Sequence, residues 1–65
     1  MNFDCIRILY KSARINISGH ISESDLKISN ATISGIGISD QEISNIESDQ
    51  NIRNQIEYIL RVRNG

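Results

Sequence analysis

Proline and tryptophan are absent from this 65-residue chain, cysteine and histidine occur once each, and only Phe3, Tyr10 and Tyr58 are aromatic. A lone cysteine, Cys5, has no partner for an internal disulfide and stands in no metal-ligand spacing. The expectation is a reducing, cytoplasmic setting with no metal or other cofactor. No charged segment followed by an apolar one opens the sequence, so no secretory leader is expected. The longest apolar run, Ile8-Leu9-Tyr10, is far below the roughly 18 residues of a membrane span. A membrane is therefore not among the expected partners.

What the chain has is isoleucine: fourteen, against three leucines and one valine. Isoleucine is β-branched and stiff at χ1, which favours strands. Sixty-five residues make one domain. A domain of this size buries only about 60% of the surface its unfolded chain exposes, so it is marginal by default. A homodimer or a bound partner would make up the shortfall. The excess of Ile, Asn and Ser fits an A/T-rich coding sequence and hints at a phage or mobile element.

Net charge is −1, but its distribution is uneven. Residues 1–16 carry Arg7, Lys11 and Arg14 against Asp4, and residues 51–65 carry Arg53, Arg61 and Arg63 against Glu57. Between them, six carboxylates face Lys27 alone. Basic ends around an acidic middle either meet in the fold or neutralise that middle.

Alternation of apolar and polar residues predicts strands at about 3–11, 14–22, 26–29 and 32–38. The first two form a hairpin turning at Ser12-Ala13, and the last two are one irregular strand or two, divided at Ser29-Asn30-Ala31. Gly19 inside the second strand predicts a bulge or the close approach of another backbone. Ile33 and Ile36 are out of phase, which predicts a bend near Gly35. Ser39-Asp40-Gln41-Glu42 is a capping box opening a short helix at about 40–46. A second helix at about 49–63 carries Ile52, Ile56, Ile59 and Leu60 on one stripe. Its surface offers Asp49–Arg53 and Glu57–Arg61 as i, i+4 pairs, and Asn64-Gly65 suits a left-handed cap. Ile-Ser recurs every five residues from 28 to 44, a spacing similar to that of pentapeptide-repeat solenoids. One coil of such a solenoid has no neighbour to stack on, and alternating strands account for the same residues.

No catalytic set emerges. His20 lies on the polar side of its strand without a local partner, and Cys5 reads as a small buried residue rather than a nucleophile. Gly35-Ile36-Gly37 lacks the third glycine of a phosphate turn, with Asp40 in its place.

The fold expected is α+β: a small antiparallel sheet of three or four short strands, then a short helix and a C-terminal amphipathic helix packed on one sheet face. The function expected is non-enzymatic, a protein-binding or regulatory module that occludes a partner's surface. An inhibitor, an immunity or antitoxin-like factor and a phage anti-defence protein all work this way. The alternative is a small nucleic-acid-binding regulator. Candidate contacts for either are Arg7, Lys11, Arg14, Arg53, Glu57, Tyr58, Arg61 and Arg63.

Overall fold

The computed structural model describes residues 1–64, with side chains described through residue 63. The chain forms strands β1 (Asn2–Tyr10), β2 (Ala13–Ile21), β3 (Leu26–Ile33) and β4 (Ile36–Gly37), then helices α1 (Asp40–Glu47) and α2 (Gln50–Asn64). The strands make one antiparallel meander in the order β1-β2-β3-β4. Both helices cover the same sheet face, α2 against β1 and α1 against β3. This is the α+β architecture that the alternation predicts.

Isoleucine fills the space between the layers. Ile6 and Ile8 of β1 pair across from Ile17 and Ile15 of β2, and all four meet Ile46, Ile52 and Ile56 of the helices in one buried cluster. Ile59 and Leu60 are half-buried at its margin. A helix as short as α2 gains most of its stability from this stripe rather than from helix propensity.

Two bulges flank β2 at the same level. Phe3 pairs with Gly19 and Ile6 with Ile17, so β1 spends three residues where β2 spends two. Cys5 sits in this bulge with φ 50. Its N–H donates to Ser18 Oγ at 3.0 Å, and that hydroxyl donates to Asp4 Oδ1 at 2.8 Å. On the other side Ser18 pairs with Asn30 and Gly19 with Ile28, which leaves Ser29 as the extra residue. The Ser29 hydroxyl donates to the Ser18 carbonyl at 3.1 Å. Each bulge resets the alternation by one. Phe3 and Ile6 thereby both face the helices, as do Ile28 and Ala31.

Gly19 combines the two properties expected of it. A Cβ here would overlap the Lys27 carbonyl oxygen and lie 3.0 Å from Ile28 Cα, so β2 and β3 close only around a glycine.

The turns differ in part from the expectation. β3 continues through Ser29-Asn30-Ala31 with only the bulge at Ser29, and the chain reverses at Ser34 and Gly35, with φ 51 and 81, where the slip between Ile33 and Ile36 predicts a bend. The first hairpin turns at Lys11 and Ser12, with φ 49 and 65, one residue before Ser12-Ala13. Two positive φ values in a two-residue loop make a type I′ turn, whose twist matches that of the flanking strands.

The helix ends also hold surprises. Ser39 Oγ accepts from the Glu42 N–H at 3.3 Å, which is half of a capping box. The Glu42 carboxylate instead accepts from the Tyr10 hydroxyl at 3.0 Å and pairs with Lys11 at 3.6 Å. Asp49 Oδ1 caps α2 through the Asn51 N–H at 2.9 Å. Neither expected i, i+4 ion pair forms among the described residues; Glu57 turns back to Arg53 Nε at 3.4 Å. Arg53 also serves the sheet. Its guanidinium donates to the Ser22 carbonyl, and to the Asp25 carbonyl at 3.4 Å, gripping the β2–β3 loop. The cap expected at Asn64-Gly65 needs Gly65, which lies outside the described residues.

Candidate functional site

With both helices on one side, the opposite sheet face is open. Alternation and register place Arg7, Leu9, Arg14, Asn16, His20, Lys27 and Thr32 on it, with Asn2, Asp4 and Ser18. Three cations, Arg7, Arg14 and Lys27, share this face with one carboxylate, Asp4. The other seven carboxylates lie in the β2–β3 loop and the helical part of the chain. Asp4 is itself engaged by the Ser18 hydroxyl, and the Cys5 thiol lies 3.6 Å from the same Oδ1. The face is thus net positive although the molecule is net negative.

Its most distinctive spot lies near the first hairpin. Leu9 is directly opposite Arg14, and Arg7 is opposite Asn16, so the two arginines are diagonal neighbours with Leu9 between them. Leu9 is 54% exposed. Arg7, Leu9, Arg14 and Gln55 line a shallow groove of about 290 Å³. Gln55 reaches this edge from α2: its Nε2 donates to the Leu9 carbonyl at 2.8 Å, and its Oε1 accepts from the Leu9 N–H at 2.9 Å. The carboxamide occupies the place a neighbouring strand would take, fixing Leu9 while closing the edge beside it.

The other candidates are dispersed. Lys11 lies 5.3 Å from the Tyr10 ring centroid as well as beside Glu42. The Tyr10 side chain first, then the Glu42 charge, hold its ammonium above the ordinary value of 10.5. Arg53 and Glu57 form the loop clamp. Arg61 lines a different groove, of about 570 Å³, with Met1, Ile21, Glu23, Arg53, Glu57 and Leu60. Tyr58 and Arg63 are exposed on α2. The surface therefore does not gather the two basic segments: Arg7 and Arg14 line one groove, Arg53 and Arg61 another.

Leu9 and Lys27 extend the candidate set. Both were legible as out of phase with the buried Ile6, Ile8 and Leu26 and the half-buried Ile28. Cys5 corrects the expectation of a buried residue, since it is exposed. It lies across from Ser18, while His20 Nδ1 is 2.8 Å from Asn2 Oδ1, so Cys5 and His20 form no pair. No helix among the described residues is long and apolar enough to cross a membrane. No family model, no curated protein and no solved structure matches this chain.

Proposed function

We propose that this protein is a non-enzymatic binding module whose open sheet face covers an acidic patch on a partner protein. The observation that carries this reading is the exposed Leu9 set between Arg7 and Arg14. Arginine is among the residues enriched at protein–protein hot spots, where a few residues supply most of the affinity, and Leu9 adds exposed apolar surface beside two of them. Lys27 at the far end of the face extends the positive field, which steers an acidic partner to it. Binding of this kind blocks whatever the covered surface does, the mode of an inhibitor, an immunity or antitoxin-like factor, or a phage anti-defence protein.

A nucleic-acid regulator is the second reading, favoured by the same three cations. It has less support. Among the described residues of the face, His20 is the one aromatic ring on which a base could stack, and it is held beside Asn2. Arg61 and Arg63 belong to α2, on the covered side.

The test compares wild type with Leu9→Asp and with Arg7→Glu/Arg14→Glu as immobilised bait, with and without nuclease. The expected result is a protein retained after nuclease treatment, with binding at least roughly 30-fold weaker for either variant, the size of a hot-spot loss. A partner held equally by all three baits refutes the assignment of the face. Binding to bare oligonucleotide at low salt, falling with a log–log salt slope of about −2 to −3, replaces it with the second reading.

A further inference from the structure

The stretch from Ile28 to Ser39 holds twelve residues without a charge, and it contains β4, the free edge of the sheet. The other sheet edges are covered in part. On β3 the outward N–H of Leu26 donates to Asp25 Oδ1 at 3.0 Å and that of Ile28 to Glu47 Oε2 at 2.8 Å. On β1 the bulge at Asp4-Cys5 interrupts the edge, and Gln55 covers Leu9.

β4 differs. Ile36 pairs with Ile33 across the two-residue turn, and the Ile38 N–H donates to the Ala31 carbonyl at 3.0 Å. Both residues thus direct their backbone groups to β3. Gly37 between them, opposite Thr32, turns its N–H and C=O outward by the alternation of an antiparallel ladder. Gly37 is exposed and carries no side chain to cover them. Ile36, on the same side of β4 as the core-packed Ile38, is 69% exposed.

We propose that β4 pairs antiparallel with β4 of a second copy of this chain, across a two-fold axis at Gly37. The two Gly37 residues then exchange both N–H···O=C bonds. In this register Ile36 of each copy lies opposite Ile38 of the other, covering the exposed isoleucine twice. The contact is self-complementary, as a two-fold interface must be. No like charges meet in it, as pairing between identical edges requires. The meander becomes a continuous eight-stranded sheet with its two open faces on the same side. Two strands this short bury far less than the roughly 1,200 Å² of a standard interface, so the dimer is weak and concentration-dependent.

Sedimentation equilibrium from about 10 µM to about 1 mM tests this, with Gly37→Pro, Ile36→Lys and the control Val62→Lys. Proline removes only the outward N–H, a substitution that edge strands accept. The expected result is self-association of wild type and Val62→Lys, at least tenfold weakened in the other two with their circular dichroism unchanged. Amide exchange at Gly37 in the wild type slows as concentration rises. This readout stands even where a variant fails to fold. A wild type monomeric throughout, association that Gly37→Pro and Ile36→Lys leave intact, or Gly37 exchange independent of concentration overturns the proposal.

Discussion

Gly19→Ala is the substitution on which the sheet geometry bears hardest. In an ordinary strand position the change is stabilising by about 0.5–1 kcal/mol, because alanine has less backbone freedom to lose. Here the new methyl group overlaps the Lys27 carbonyl oxygen and presses on Ile28 Cα, both backbone atoms of the adjacent strand. Neither can swing aside as a side-chain tip would. Relief requires parting β2 from β3 between the Ser29 bulge and the end of the sheet, where Ile21 faces Leu26. Overpacking alone costs about 1–3 kcal/mol. The weakened ladder bonds add about 1 kcal/mol each. The net loss is therefore about 3 kcal/mol. A 65-residue domain has about 3–10 kcal/mol of stability in all, so the variant is strongly destabilised or unfolded. Urea denaturation followed by far-ultraviolet circular dichroism measures it, and the melting temperature should fall by roughly 12–24 °C. Gly37→Ala is the matched control, since a Cβ there meets nothing within 4 Å; it should be as stable as wild type or up to about 1 kcal/mol more stable. If both variants are equally stable, the close approach of β2 and β3 at Gly19 is wrong.

Gln55→Ala removes both hydrogen bonds to Leu9 and reopens the β1 edge; it should lose about 1–2 kcal/mol in urea and scatter light sooner at high concentration. Unchanged scattering would show that the carboxamide does not guard the edge. The Lys11 ammonium, raised by Tyr10 and then by Glu42, gives a pH signature. A folded value above the unfolded one stabilises fully below about 10.5, and this contribution is lost as pH rises through the folded value. Lys11→Met should therefore flatten the alkaline limb of stability against pH; parallel limbs for the two proteins would refute the contact.

Much of the architecture was legible because isoleucine marks the inner face so consistently. The alternation in β2 and the stripe of α2 both translate directly into burial of Ile15, Ile17, Ile52 and Ile56. The alternation slips three times, between Phe3 and Ile6, Ile28 and Ala31, and Ile33 and Ile36. The first two slips are bulges and the third is a turn. Period alone cannot separate these cases, since Ser29-Asn30 and Ser34-Gly35 are both turn-like residues. Cys5 gave no warning of its positive φ, because cysteine has no preference for it. The site was half legible. Arg7 and Arg14 are on the open face as their phase implies, but the engagement of Arg53 depends on carbonyls that only the folded loop presents. Gln55 was silent altogether, for its role is set by a strand edge 46 residues away.

That separation has a consequence during synthesis. The β1–β2 hairpin needs no residue beyond Ile21, so the nascent sheet stands with its Leu9 edge uncovered until α2 reaches it. At about 5–20 residues per second, the 46 residues between Leu9 and Gln55 take roughly 2–9 s to add. Hairpins close in microseconds, so this interval is long for the molecule. The ribosome-bound chain is the form in which the edge is most open to strangers, and chaperone dependence, if measured, should concentrate there.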